Sequence, residues 1–170
     1  MAFNLYLIRH GLAAERSPTL SEDLRPLTPE GKTKTKQVAK RLQELGLPLQ
    51  ALHTSPLARA TQTARIFGEI FQVEPETNPL LAPQPHPEQN FDPWLDQLQA
   101  WRQDQPQVHD LGLVGHEPEL TTWAEMLLWG GSRDSLVLKK AGILGLALPE
   151  QGSPVGESFL FLLLPPKLIV

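Results

Sequence analysis

The sequence predicts an α/β fold: a three-layer α/β/α sandwich whose sheet is mainly parallel, with an antiparallel edge. Three observations lead there. Short apolar runs alternate with amphipathic helical patterns through most of the chain, as in βαβ units. Two of those runs, Leu5–Ile8 and Leu111–Val114, stop at turns that carry a histidine and a glycine, and in such sheets ligands bind beyond the carboxyl ends of the strands. Near the end the alternation ceases and strand-like stretches follow one another, which suits an antiparallel edge. A length of 170 residues fits one domain spanning 1–170.

The elements follow in order. Leu5–Ile8 reads as a buried strand opening onto Arg9-His10-Gly11. Residues 11–27, with Pro18 and Pro26, read as irregular. Thr28-Pro29-Glu30 is a helix start: a capping hydroxyl, proline at the first helical position, then an acid. Val38, Ala39, Leu42 and Leu45 continue that helix at helical spacing and Gly46 ends it, leaving Lys32, Lys34, Lys36 and Lys40 as its solvated face. Ala51–Thr54 is a short strand, and Ser55-Pro56 opens a helix with Ala60, Ala64, Phe67 and Phe71 on one face. The proline-rich stretch 74–93 is expected to be a long loop, a kind often functional in compact domains. Asp92-Pro93 starts a third helix with a stripe of Trp94, Leu98 and Trp101. A fourth helix runs from Pro118 to about Trp129. Three strand-like stretches remain, Leu136–Leu138, Ile143–Leu148 and Phe159–Leu164, and the last is expected to be buried.

Composition narrows the function. Hydrophobic residues make up 41% and charged residues 20%, as in globular proteins with a sizeable core. A net charge of -4 argues against nucleic-acid binding, although a local basic pocket for a small anion is compatible with it. With no cysteine, disulfides, thiolate metal sites and cysteine nucleophiles are excluded. His53, His86 and His109 lack metal-ligand spacing and are expected to be structural. The N-terminal segment has no basic head and reaches Arg9 too soon for a signal peptide. The apolar run at 159–164 is far short of the roughly 20 residues that span a bilayer. A cytoplasmic protein without a membrane partner is the expectation.

Four segments carry chemistry: Arg9-His10-Gly11, Arg25-Pro26-Leu27-Thr28, the run from Ser55-Pro56-Leu57 through Arg59-Ala60 to Gln62-Thr63-Ala64, and Val114-Gly115-His116-Glu117-Pro118. Arginine offers a planar fork of donors that matches phosphate oxygens. Helix starts add unpaired N–H groups that favour an anion. A neutral imidazole nitrogen among them could attack phosphorus and divide one hard displacement into two easier ones. Gly11 lets the backbone approach closely.

Together these segments resemble the histidine phosphatase superfamily, and within it the small phosphohistidine phosphatases of SixA type, over residues 5 to about 146. The order of the segments carries the resemblance more than any one motif. It implies a phosphoglycerate mutase-like fold and a phosphatase that forms phosphohistidine at His10. It further implies a phosphoryl group bound by Arg9, Arg59 and His116, with Arg25 near the mouth, and no metal or other cofactor. The substrate implied is phosphohistidine, on a phosphotransfer protein, with inorganic phosphate as product. The chain departs from the larger mutase-like members, which follow Arg-His-Gly with Glu and place a glutamate after the second helix. Here the corresponding text is Leu12-Ala13-Ala14 and Leu80-Leu81-Ala82-Pro83. Those departures point away from a sugar-phosphate mutase and leave the general acid open. Asp23 and Glu88 are loop carboxylates that could serve but read as solvated, and Glu117 reads as a charge favouring its helix start rather than as an orienter of His116. Two other functions stay in view: a phosphatase for small phosphate esters using the same site, and a non-catalytic binding module that kept the fold. The intact His-Arg-Arg-His set disfavours the module.

Overall fold

The computed structural model describes residues 2–170 and contains one six-stranded sheet with four α-helices. The strands are β1 (Phe3–Arg9), β2 (Ala51–Thr54), β3 (Pro75–Thr77), β4 (Asp110–Gly115), β5 (Ile143–Leu148) and β6 (Phe159–Leu164). The helices are α1 (Pro29–Glu44), α2 (Ala58–Phe71), α3 (Phe91–Asp104) and α4 (Glu119–Trp129). Sheet order is β3-β2-β4-β1-β5-β6. The pairs β2–β3, β2–β4 and β1–β4 are parallel, whereas β5 is antiparallel to both β1 and β6.

Alternation along β1 builds two cores. Phe3, Leu5 and Leu7 join Trp94, Leu98, Trp123 and Leu127 of α3 and α4 on one face of the sheet. Tyr6 and Ile8 join Val38, Leu42, Ala64 and Phe67 of α1 and α2 on the other. This is the expected three-layer sandwich. Thr28 caps α1, its hydroxyl accepting from the Gly31 N–H at 2.9 Å, and the α1 lysines lie in solvent.

Several elements differ from expectation. Leu136–Leu138 is not a strand but part of an irregular segment, because its hydrogen bonds go to side chains: the Glu125 carboxylate accepts from the N–H groups of Arg133, Asp134, Ser135 and Leu136. The proline-rich loop contains β3, three residues at the sheet edge where proline is tolerated. The second helix starts at Ala58 rather than at Ser55. β6 is a strand but not a buried one, with Phe159, Phe161 and Leu163 exposed on the edge. Of the tryptophans, Trp94 and Trp123 are core, Trp101 is half-buried and Trp129 is exposed.

Candidate active site

Three neighbouring strand ends converge. His10 follows β1, Ser55 follows β2 and His116 follows β4. The ladder continues past the strands: the His10 N–H donates to Gly115 O at 3.1 Å and the Ser55 N–H to Val114 O at 3.0 Å. Parallel register therefore brings residues far apart in sequence into adjacent positions. The His10 and His116 rings lie 5.3 Å apart between centroids, and both are buried.

A hydrogen bond selects the tautomer of the His10 ring. Nδ1 of His10 is 2.7 Å from the carbonyl oxygen of Gly11, which only accepts, so Nδ1 carries the proton and Nε2 keeps its lone pair. Nε2 of His116 is 2.7 Å from Ser55 Oγ, which also accepts from the Leu57 N–H. Either atom of that pair can donate, because the Ser55 hydroxyl has one proton to give and a second lone pair to accept with. Among the described residues, Nδ1 of His116 is buried without a partner. Burial pushes the His10 ring down to about 4, with the positive fields of Arg59, Arg9 and Arg25 adding to it against the bond to Gly11. Burial and then the neighbouring His10 hold His116 lower still. Both rings are neutral at neutral pH.

A cavity of about 390 Å³ is lined by Arg9, His10, Arg25, Arg59 and His116, the five residues expected from the sequence. Arg9 Nη1 donates to Leu138 O at 2.9 Å. Arg59, almost fully buried, donates through Nη1 to Glu22 O at 2.9 Å and lies 3.2 Å from the Glu22 carboxylate. Arg25 Nη2 reaches the same carboxylate at 2.8 Å, and its Nη1 donates to Ala14 O at 2.8 Å. Among the described residues, the Nε atoms of Arg9 and Arg59 are buried with no partner. Two guanidiniums that already share one carboxylate are spaced to receive an anion with several oxygens.

The second helix holds this wall in place. Thr63 Oγ1 accepts from the Gly11 N–H at 3.0 Å, and Gln62 Oε1 accepts from the Leu27 N–H at 2.8 Å. The run Arg59-Ala60-Thr61-Gln62-Thr63-Ala64 thus presents a cation, ties down the loop after β1 and the segment bearing Arg25, and buries its alanines. Gly11 and Gly31 are where the chain passes closest: a β-carbon would stand 2.3 Å from Thr35 Oγ1 at Gly11 and 2.1 Å from Leu12 O at Gly31.

Sequence reasoning missed Arg16, Glu22 and Lys140, which also line the cavity. No local motif marks them, since loop packing brings them there. Pro83 stands at the cavity where the mutase-like relatives were expected to keep a glutamate. Its loop is fastened by the Gln84 N–H donating to the buried Glu119 at 3.1 Å. Asp23 and Glu88 are not among the lining residues, but Glu117 is. Its Oε2 accepts from Thr121 Oγ1 on α4. Next to the cavity runs an open groove of about 700 Å³ that shares Arg9 and Lys140 with it; Leu12, Val137 and Leu163 give apolar walls, and Lys34, Lys139 and Lys167 add charge.

The chain is similar to known proteins in sequence and in fold. The chain is 42% identical to an uncharacterized protein of Picosynechococcus sp. (strain ATCC 27264 / PCC 7002 / PR-6), covering 96% of each. Its fold is similar to that of the protein histidine phosphatase SixA solved with tungstate, at a TM-score of 0.82 and 22% identity, covering 99% of this chain and all of that one. It is also similar to a mycobacterial glucosyl-3-phosphoglycerate phosphatase solved with VO3, at a TM-score of 0.76 and 15% identity, covering 95% of this chain and 98% of that one. The family model for the histidine phosphatase superfamily (branch 1) matches residues 5–123, and the chain belongs to that superfamily.

Proposed function

We propose that this protein is a metal-independent phosphohistidine phosphatase whose nucleophile is Nε2 of His10. The observation that carries the reading is the neutral, proton-poor Nε2 of His10 in a cavity walled by Arg9, Arg25, Arg59 and His116. The lone pair of Nε2 attacks phosphorus, the bond to the substrate's imidazole nitrogen breaks, and the phosphoryl group passes to His10. Water then attacks phosphorus, the P–Nε2 bond breaks, and inorganic phosphate leaves. Throughout, the phosphoryl oxygens carry the charge that a loose transition state spreads over them. Arg9, Arg25, Arg59 and His116 hold that charge, an electrostatic role often worth several kcal/mol.

The open groove beside the cavity supports a protein as the phosphohistidine carrier. Its apolar walls and lysines suit a partner surface that is itself apolar and acidic. Leaving-group chemistry supports the same reading. A phosphorylated imidazole whose far nitrogen carries a proton departs as a neutral molecule, and such a nitrogen titrates near 6.5, so little help is needed near neutral pH, whereas an alkoxide needs a proton. The second reading, a phosphatase for small esters, is favoured by the presence of a carboxyl group, Glu117, in the cavity wall.

A substrate panel tests the proposal. Phosphoramidate and a chemically phosphorylated phosphotransfer domain should exceed alkyl phosphates in kcat/KM by 100-fold or more, with aryl phosphates between. Rapid alkaline quench should trap label on His10, and His10→Ala should abolish turnover. Label on another residue would overturn the mechanism. A sugar phosphate turned over as well as phosphohistidine would overturn the substrate assignment.

A further inference from the structure

We propose that Glu117 is a catalytic residue of this site, the proton donor to the departing group, and that it extends the enzyme's reach to phosphate esters whose leaving oxygen is basic. This rests on the phosphatase reading above and names a group to which that reading gives no role. The case begins with position. Glu117 follows His116 directly and lines the cavity that holds His10. Its two oxygens are not equivalent. Oε2 is pinned by the hydroxyl of Thr121, one turn into α4. Oε1 is buried and, among the described residues, has no hydrogen-bond partner. A carboxylate oxygen hidden from water and unpartnered is costly, and protonation removes the cost.

The charged groups around it decide whether that proton is held. The Thr121 hydroxyl, Arg9 at the end of β1 and the Thr121 backbone N–H favour the carboxylate. Glu119 on α4 opposes it, and Lys140, Arg16, Arg25, Arg59 and Glu22 line the same cavity. Burial outweighs the rest, and the carboxyl group is held above its ordinary range. Substrate strengthens this, because a bound phosphoryl dianion neutralises the cavity cations and penalises a second anion beside it. Glu117 and His10 lie just beyond the ends of adjacent parallel strands, β4 and β1, and line the same cavity. The Pro83 loop, where the mutase-like relatives were expected to place theirs, has no acid lining the cavity.

The chemistry balances over two steps. As Nε2 of His10 bonds to phosphorus, the bond from phosphorus to the leaving oxygen breaks and the Glu117 proton moves to that oxygen, releasing an alcohol or phenol. Glu117 is then a carboxylate beside phospho-His10. Water attacks phosphorus, the P–Nε2 bond breaks, and one water proton returns to Glu117, so hydrogen phosphate leaves and the starting acid is restored.

Glu117→Gln tests this, since it keeps the shape and an acceptor for the Thr121 hydroxyl but has no proton to give. The probes are phosphoramidate, whose nitrogen is already protonated, nitrophenyl phosphate, whose phenolate is stabilised, and phenyl phosphate, whose phenol resembles that of tyrosine near 10. The variant should lose about 100-fold or more in kcat/KM on phenyl phosphate and less than about 5-fold on the other two. The fall in activity toward high pH on phenyl phosphate should disappear in the variant, and Glu117→Asp should recover part of the rate. Equal losses on all three substrates, or an unchanged high-pH limb, would overturn the proposal and leave Glu117 a support for His116. A wild type that turns over phosphoramidate through His10 but not phenyl phosphate would overturn it as well. Absence of phospho-His10 with every substrate would instead bring down the phosphatase reading, and this proposal with it.

Discussion

The burial that hides His10 also penalises its charge, and a neutral ring is what a nucleophile requires. The unfolded ring takes a proton near 6.5 and the folded ring only near about 4. Its folded value is depressed, so lowering the pH through that window favours the unfolded chain, and the contribution is intact above 6.5. By pH 5 this one residue costs about 2 kcal/mol. His10→Ala removes the cost. Urea unfolding should therefore show wild type losing more stability than the variant between pH 7 and 5, by about that amount. Equal losses would mean that the ring is not held neutral. At this scale the sequence was informative where a motif joined a residue to its strand end, as for Arg9, His10, Arg59 and His116. It was silent on Glu22, Arg16 and Lys140, which reach the cavity only through loop packing. Glu117 lay in a recognised motif, yet its two roles separate only once burial is known. A charge near a helix start and an acid facing a cavity read alike in one dimension.

Between residue and fold stand the elements that aim the side chains. Helical periodicity and the Thr28-Pro29-Glu30 start located α1, and the apolar runs located β1, β2, β4 and β5. Leu136-Val137-Leu138 reads as a strand in the sequence, whereas a single buried carboxylate organises this segment. Glu125 accepts from four backbone N–H groups and the Ser132 hydroxyl. Burial alone would raise its pKa; the bonds together hold it at about 2. The loop so shaped delivers Leu138 O to Arg9 Nη1, so a carboxylate on α4 positions a guanidinium on β1. Glu125→Gln should cost about 2 kcal/mol at neutral pH, because buried donors lose a charged acceptor. It should also weaken vanadate binding by loosening Arg9. With a depressed folded pKa, the wild type's advantage is complete above the ordinary value of 4.5 and fades as pH falls toward about 2. Unfolding midpoints of both proteins at pH 7 and 3 check this, and a gap that does not narrow in acid would refute the assignment.

For the whole molecule, the decisive fact is which strands are neighbours. Periodicity shows that strands exist but not that β4 inserts between β1 and β2, and it is this order that sets His10, Ser55 and His116 side by side. The same convergence sorts charge. A chain with a net charge of -4 gathers Arg9, Arg16, Arg25, Arg59 and Lys140 around one cavity, against only Glu22 and Glu117. If Glu117 is protonated, as inferred, the remaining carboxylate is Glu22, and Arg25 and Arg59 already bracket it. Positive charge is thus fixed in place before substrate arrives and need not reorganise as the phosphoryl group transfers. A divalent cation supplies the same charge in other phosphoryl-transfer sites. Among the described residues, no group of three His, Asp or Glu side chains is placed to hold one. Turnover of phosphoramidate should therefore be unchanged after exhaustive chelation and unaffected by added magnesium or zinc at low concentration. Ionic strength should matter instead, because the cavity opens to solvent and its field is screened over about 10 Å at 0.1 M salt. Phosphate and vanadate affinity should fall steadily with added salt in the wild type and less steeply in Arg16→Ala, which removes one exposed contributor to that field. Activity lost to chelation and restored by one metal would show that the arginines are not sufficient, and a salt-independent affinity would show that their field does not reach the entrance.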